Sequence, residues 1–190
     1  MKRVAVVGTT GAGKTTFARA LAARLGVSHV ELDALFHEAG WKPATDADFR
    51  RRVTDATDAP GWVTDGNYSL VRDIIFGRAD TIVWLDVPFL VLFPRVVSRT
   101  FRRMVSREPL WNGNREPWLA FVDPEAPVIW SIRTFRRRRR EYPKLFATLR
   151  PAQAVHRLRT PREVEEFLRS IAPPPAGGSQ VASRSRARER

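Results

Sequence analysis

Residues 8–15 read Gly8-Thr9-Thr10-Gly11-Ala12-Gly13-Lys14-Thr15 and match the pattern G-x-x-x-x-G-K-[ST] at every fixed position. The valine-rich run Val4–Val7 precedes this stretch and predicts a short buried strand. Residues 16–25 carry apolar side chains at helical spacing, and Gly26 is placed to end that helix. The sequence therefore predicts a strand, a glycine-rich loop and a helix in direct succession, which is the Walker A arrangement.

This arrangement is suited to binding the phosphates of a nucleotide. Glycines allow backbone conformations in which successive N–H groups converge on phosphate oxygens, and the helix N-terminus adds partial positive charge. Lys14 supplies a full charge for the β- and γ-phosphates, and the Thr15 hydroxyl is a ligand for Mg²⁺. We therefore predict ATP and Mg²⁺ as cofactors, bound by residues 8–15 together with Thr16.

The composition fits a single globular domain. The chain has 190 residues, of which 43% are hydrophobic, and it shows no apolar run long enough to cross a membrane. There is no cysteine, and His29, His37 and His156 are not clustered at ligand spacing, so we predict no structural metal site. With neither a membrane span nor a signal peptide in the pattern, we expect a cytoplasmic protein.

The charge is strongly positive. Thirty-three Lys and Arg residues against twenty Asp and Glu give a net charge of +13. Such a field attracts phosphates of any kind, whether on nucleotides or on nucleic acids. Composition alone does not decide between them.

Three aspartates follow apolar runs that read as strands. Because ligands of open α/β sheets bind beyond the carboxyl ends of the strands, these acids are expected near the phosphates. Each could orient an acceptor hydroxyl, act as a base or hold Mg²⁺ through water, and each could equally cap the next element. The sequence leaves open which acid has which role for Asp33, Asp65 and Asp86.

Four motifs occur in an order and spacing typical of one group of enzymes: Gly8–Thr15, Thr64-Asp65-Gly66, Leu85-Asp86-Val87-Pro88 and Arg95-Val96-Val97-Ser98-Arg99. The chain resembles P-loop small-molecule kinases of the adenylate kinase-related group. Within that group it most resembles the branch of DNA topology modulation proteins. The resemblance covers residues 1–172.

The resemblance implies roles for three of these residues. Asp86 would help to hold the water shell of Mg²⁺, Arg95 would lie against the adenine, and Arg99 would contact the transferring phosphoryl group. Two arginines four residues apart also share one helix face, which is consistent with a common site. The same spacing also fits an ordinary basic helix face.

The resemblance further implies a lid that closes over ATP, at roughly residues 100–130. A mobile lid that carries arginines would exclude water and neutralise charge in the transition state. Arg115 is the candidate lid arginine. Alternatively, the segment is a packed helical insertion.

The chain departs from the adenylate kinase pattern after Asp65-Gly66. Adenylate kinases have a phenylalanine, a proline and then an arginine that grips the monophosphate acceptor at this point, whereas this chain has Asn67-Tyr68-Ser69, with Arg72 three residues later. The segment between Asp33 and Gly61 is also short for a monophosphate-binding lobe. Phosphoryl transfer is therefore predicted, but not AMP as the acceptor.

Arginines are densest at Arg133 and Arg136–Arg140. On a helix at most two of the five consecutive arginines can face a nucleotide, and Arg133 and Arg137 share a face. We therefore predict that these two contact the nucleotide phosphates. The others are solvated or bind an external polyanion such as nucleic acid, as would the basic tail at residues 173–190, which is predicted to be disordered.

These observations predict an α/β fold of the P-loop NTPase type. It would be a three-layer sandwich of about five parallel strands, with helices on both faces and a helical lid. The leading function is ATP-dependent phosphoryl transfer to a small acceptor, such as a nucleoside or nucleotide, by a monomer or small homo-oligomer. The predicted catalytic residues are Lys14, Asp33, Asp65, Arg99 and Arg115. Alternatives are a nucleotide-gated nucleic-acid-binding protein with weak ATPase activity and a nucleotide hydrolase.

Overall fold

The central element of the fold is one parallel five-stranded sheet. The computed structural model describes residues 1–117 and 127–172. The strand order is β2-β3-β1-β4-β5, so the strand that leads into the glycine loop is central. The strands are β1 (Arg3–Gly8), β2 (Ser28–Glu31), β3 (Trp62–Asp65), β4 (Thr81–Leu85) and β5 (Ala154–Leu158).

Helices connect the strands and cover the sheet. The α-helices are α1 (Lys14–Leu25), α2 (Leu32–Phe36), α3 (Asp46–Ala56), α4 (Arg72–Arg78), α5 (Phe89–Ser106), α6 (Pro127–Phe146) and α7 (Pro161–Ser170). Two of them begin at the side-chain caps that the sequence indicates. Thr45 accepts a hydrogen bond from the Asp48 amide, and Thr160 accepts one from the Glu163 amide.

The core has two halves, one on each face of the sheet. Alternate residues of β1 point to opposite faces, so Val4 and Val6 pack on one side and Ala5 and Val7 on the other. The first half is formed with α1, α5 and α7, and the second with α3, α4 and the C-terminal part of α6. The predicted three-layer α/β fold is confirmed.

The described segments refine several predicted boundaries. Asp33 lies in the first turn of the short helix α2 rather than at the end of a strand. Of the predicted lid, residues 100–106 are the last turns of α5, and a 3₁₀ turn follows at Trp111–Gly113. Residues 118–126 of that lid and the whole predicted tail lie outside the described residues. In the described part of the chain, no helix has the length and apolar character that a membrane span requires.

Candidate active site

The glycine loop follows β1 and leads directly into α1. Gly13 has a φ of 86°, a left-handed conformation that favours glycine. Gly11 also has a positive φ, and a Cβ there would lie only 2.3 Å from Cγ2 of Val96 on α5. The loop is therefore packed directly against α5, and glycine is required for both its conformation and this close approach.

Lys14 lies half-buried at the start of α1, where its Nζ donates a hydrogen bond of 3.3 Å to the carbonyl oxygen of Thr9. Burial and, after it, the nearby positive charge of Arg138 lower the pKa of the Lys14 ammonium to about 8, although Asp33 and Asp65 oppose the shift. The ammonium thus lacks sufficient neighbouring negative charge in the free protein. A bound phosphate would supply that charge.

Asp65 lies at the end of β3 and connects α1 to β2. The Thr15 hydroxyl donates a hydrogen bond of 2.6 Å to Oδ2 of Asp65, and Nε2 of His29 donates one of 2.8 Å to Oδ1. The side chain of Asp65 is only 6% exposed. A hydroxyl and a carboxylate side by side next to a phosphate loop are hard oxygen donors, which is the ligand type that Mg²⁺ prefers.

No group of three or more His, Cys, Asp or Glu side chains that could hold a metal ion occurs within residues 1–117 and 127–172. This does not conflict with a magnesium site at Thr15 and Asp65. Mg²⁺ in phosphoryl-transfer sites is bound by one or two protein groups, with substrate phosphates and waters as the other ligands. The residues present therefore fit that ion.

Asp33 faces the same region from α2. The Tyr68 hydroxyl donates a hydrogen bond of 2.6 Å to Oδ1 of Asp33. The Tyr68 ring is held by Phe36 and Phe49, at centroid distances of 4.7 and 5.0 Å. Burial and the adjacent Asp33 carboxylate raise the pKa of the Tyr68 hydroxyl, so this hydroxyl remains a donor at all physiological pH values. Asp33 is thereby oriented while its second oxygen is left for other contacts.

Asp86 lies at the end of β4 and is occupied by two arginines. Nε of Arg139 donates to Oδ1 at 2.6 Å, and Nε of Arg157 donates to Oδ2 at 2.9 Å. The Arg157 guanidinium stacks over Trp84, and the Arg139 guanidinium over Phe135. Because both carboxylate oxygens accept hydrogen bonds from guanidinium groups, this arrangement favours a structural role over the predicted magnesium role of Asp86.

We expect Asp86→Ala to lower the free energy of unfolding by about 2–3 kcal/mol, because it removes a buried partner of two guanidinium groups. The expected loss of stability is smaller than for a fully buried ion pair, because the side chains of Arg139 and Arg157 are 40% and 37% exposed. Urea denaturation, with the exposed Asp58→Ala as the control, measures the change. Unchanged stability with a loss of magnesium dependence would instead support the metal role.

The other predicted arginines differ in where they lie. Arg99 on α5 faces inward, and its charge is close enough to Lys14 to lower the pKa of that ammonium. Arg95 is exposed and lines an open groove with Arg99 and Arg102. Arg115, Arg133 and Arg137 are all exposed, and Arg137 pairs with Glu141 on its own helix at 3.8 Å.

Arg138 is the member of the arginine run that points towards the glycine loop. It is only 8% exposed, and its Nη1 lies 3.4 Å from the carbonyl oxygen of Gly8. Burial lowers the pKa of its guanidinium. A signal for this position exists in the sequence: Arg138 falls on a helical stripe with Ser131, Thr134 and Tyr142, all of which are buried.

Three further contacts at the site were not predicted from the sequence. Two of them are the contacts of His29 with Asp65 and of Tyr68 with Asp33. In the third, the side-chain amide of Asn67 accepts a hydrogen bond from the backbone N–H of Gly8 and donates one to the carbonyl oxygen of Gly8. Asn67 also accepts a hydrogen bond of 2.7 Å from the Tyr142 hydroxyl. The segment Asn67-Tyr68 therefore supports both the glycine loop and Asp33.

A docking segment, defined as residues 110–115, crosses over α2 and the turn that follows it. Trp111 donates from Nε1 to Glu31, and the side chain of Asn112 donates to the carbonyl oxygen of His37. The Trp41 amide donates to the side chain of Asn114, and its Nε1 donates to the backbone of Arg115. These contacts close one side of the region around Asp33.

Comparison with known proteins gives a match at the level of the fold. A family model described as an AAA domain matches residues 4–64. No curated protein matches the chain significantly. Among solved structures, the shikimate kinase of Acinetobacter baumannii in complex with shikimate has a TM-score of 0.53 at 18% identity, over 90% of this chain and 90% of that chain.

Two other shikimate kinases give a similar result. The enzyme of Bacteroides thetaiotaomicron has a TM-score of 0.51 at 20% identity, over 90% of this chain and 96% of its own. The enzyme of Aquifex aeolicus has a TM-score of 0.51 at 17% identity, over 89% of this chain and 95% of its own. The chain has the P-loop kinase fold. The region matched by the AAA-domain model contains the glycine loop, Asp33 and β3 up to Thr64.

Proposed function

We propose that this protein is an ATP-dependent kinase that transfers a phosphoryl group to a hydroxyl of a small molecule. The observation that carries the proposal is the arrangement of two carboxylates around one phosphate loop. Asp65 contacts Thr15, and Asp33 is held by Tyr68 close enough to Lys14 for its charge to raise the pKa of that ammonium. The P-loop kinase fold of the matched structures also supports it.

The two carboxylates have different tasks in this proposal. Asp65 and Thr15 would hold Mg²⁺, which would neutralise negative charge on the phosphates of ATP. Asp33 accepts the proton of the acceptor hydroxyl. The acceptor oxygen forms a bond to the γ-phosphorus, the bond from that phosphorus to the β–γ bridging oxygen breaks, and ADP leaves with the electron pair.

Positive charge around the loop would stabilise the transferring group. Arg138 is buried beside the loop, the half-buried Lys14 lies at the end of the loop, and Arg99 approaches from α5. Buried cations that are fixed before the reaction stabilise the charge that develops on phosphoryl oxygens, with little reorganisation. The predicted roles of Arg95, Arg115, Arg133 and Arg137 would require these exposed side chains to move towards the nucleotide, and they stay proposals.

The experiment that tests the function combines purified protein, γ-labelled ATP, Mg²⁺ and a panel of nucleosides, nucleotides and small hydroxylated metabolites. Transfer of label to one acceptor, detected by chromatography and mass spectrometry, would establish the kinase and its acceptor. Lys14→Ala is the inactive control. Release of labelled phosphate with no labelled acceptor would instead favour the hydrolase alternative.

The nucleic-acid-binding alternative rests on the exposed arginines Arg136, Arg137 and Arg140 of α6. Tight ATP binding with no transfer to any acceptor would favour it. The matching measurement is binding of DNA and RNA at increasing salt, since polyanion binding weakens steeply with ionic strength. The adenylate kinase-related relationship and its DNA topology modulation branch are likewise proposals that rest on the sequence motifs.

ATP affinity is expected to fall at alkaline pH. Lys14 has a pKa of about 8 in the free protein, and bound phosphates raise the pKa of that ammonium. Only the protonated form pairs with ATP, so affinity is constant well below about pH 8 and falls towards about tenfold per pH unit above it. Calorimetry in buffers of different ionisation enthalpy should show proton uptake at about pH 9 and almost none at about pH 6.5. A dissociation constant that stays flat across this range would contradict the assignment.

A further inference from the structure

Two half-buried arginines on α5 each have a buried Nε atom that has no partner among the described residues. Arg99 and Arg103 are four residues apart and therefore lie on one helix face. The Nε atom of each is buried without a hydrogen-bond partner. Neither guanidinium forms a salt bridge within residues 1–117 and 127–172. A buried N–H donor normally has an acceptor, so two adjacent guanidinium groups with unpartnered Nε atoms indicate a ligand that is itself an anion.

The negative charge near this pair is too small to balance it. Among the described residues, Glu116 is the acid whose charge interacts with both arginines. Burial raises the pKa of the Glu116 carboxyl and so disfavours its charged form. Within residues 1–117 and 127–172, the other acid that acts on Arg99 is Asp33, which is already hydrogen bonded to Tyr68. Burial and the charge of Arg103 lower the pKa of the Arg99 guanidinium. An additional anion would relieve this repulsion.

A third unpartnered atom lies in the same region. Nδ1 of His37 is buried with no hydrogen-bond partner, and the His37 ring packs between Trp41 and Trp111, at centroid distances of 5.1 and 6.2 Å. Asp33 is close enough to affect the pKa of both His37 and Arg99. Asp33 therefore lies near Arg99, the first member of the pair, and near His37, whose ring carries an unpartnered nitrogen.

Position along α5 separates Arg103 from the nucleotide phosphates. Val96 on this helix is the residue against which Gly11 of the glycine loop packs. Arg99 is three residues beyond Val96, and Arg103 is seven, which corresponds to about 4.5 and 10 Å along the helix axis. Arg103 therefore lies about 6 Å farther along the helix from the glycine loop than Arg99 does, a spacing that a small acceptor can span.

We propose that Arg103, together with Arg99, binds an anionic group of the phosphoryl acceptor, which is therefore a small hydroxylated carboxylate or phosphate ester. This rests on the proposed kinase function. Asp33 faces the hydroxyl that is phosphorylated, and the carboxylate or phosphate lies against Arg103. A neutral polyol, sugar or nucleoside would leave both guanidinium groups unpaired and binds poorly for that reason.

The test compares anionic compounds with neutral counterparts: gluconate with glucitol, glycerate with glycerol, and glucose 6-phosphate with glucose. Binding is measured by calorimetry in the presence of Mg²⁺ and an ATP analogue that cannot transfer its γ-phosphoryl group. Transfer is measured separately with ATP. We expect binding only by anionic members, and the carboxylates and the phosphate ester form separate arms that identify the preferred anion.

Arg103→Gln should weaken binding of the anionic compound at least about tenfold while ATP affinity is unchanged. Arg103→Lys keeps the charge and should restore part of the loss. Arg162→Gln on the exposed face of α7 is the control, since Arg162 is 86% exposed and pairs only with Glu166 on its own helix. Circular dichroism confirms that each variant is folded.

Three results would overturn the inference: neutral members that bind as tightly as the anionic ones, no binding by any anionic member, or an Arg103→Gln variant that loses ATP affinity rather than acceptor affinity. Binding of an anionic member that depends on Arg103 but is followed by no transfer upholds the inference. In that case it is the kinase function that fails. The two proposals can therefore fail separately.

Discussion

Lys14→Ala should lower kcat/KM for ATP by about 10²–10³, because it removes a fixed positive charge at the phosphates. The same variant should not be destabilised by loss of the charge. The pKa of the ammonium is about 8 in the folded protein against 10.5 for an unperturbed lysine, so the charged form disfavours folding by about 3 kcal/mol below pH 8. That cost disappears as the pH rises from about 8 to 10.5. Steady-state kinetics and thermal unfolding at about pH 7 measure both effects.

The matched control is Lys144→Ala, because Lys144 is exposed near the end of α6 and carries the same charge. It should change neither ATP turnover nor stability. The combination of lost activity and retained or increased stability is characteristic of a charge that is placed for a ligand rather than for the fold. Near-normal turnover by Lys14→Ala would contradict the role of the glycine loop in phosphate binding.

Asp33→Asn should lower kcat by about 10²–10⁴ with little change in ATP affinity. The amide retains an oxygen for the Tyr68 hydroxyl and has almost the same shape, but it cannot accept the acceptor proton. Pre-steady-state measurement of product formation, together with ATP binding by calorimetry, separates the chemical step from nucleotide binding. Asp58→Asn, in an exposed loop, is the control for the loss of one negative charge.

Comparison with Asp65→Asn distinguishes the two carboxylates. Because Asp65 contacts Thr15, the asparagine there should raise the Mg²⁺ concentration required for half-maximal activity. Asp33→Asn should leave that requirement unchanged. If Asp33→Asn retained kcat within about tenfold of the unsubstituted protein, Asp33 would not be the base.

The local signals in the sequence were sufficient for the fold. The valine run, the glycine loop and the helical spacing after it are all short-range patterns, and each predicts one element of the sheet or its helices. Threonine caps at Thr45 and Thr160 likewise place the starts of α3 and α7 within a residue. These features depend on neighbours along the chain, so the sequence alone determines them.

Contacts between distant segments could not be predicted in the same way. Asp86 looked like a candidate metal-binding acid because it ends a strand, but its partners Arg139 and Arg157 come from α6 and β5, 53 and 71 residues away. Residues 136–140 are all arginine, so composition gives no hint of which one faces inward. The buried positions Thr134 and Tyr142 provide that information only once the phase of α6 is known.

The arginine run of α6 has a consequence for how related sequences should diverge. Arg138 is committed to the glycine loop and Arg139 to Asp86, whereas Arg136, Arg137 and Arg140 are exposed. Exchange of Arg136 or Arg140 for lysine or glutamine would cost the nucleotide site little, and the same exchange at Arg137 would do so unless that side chain moves to the nucleotide as proposed. In an alignment of homologues, positions 138 and 139 should therefore remain arginine while the exposed positions vary. If the exposed arginines were also retained, this would indicate that they bind a partner outside the nucleotide site.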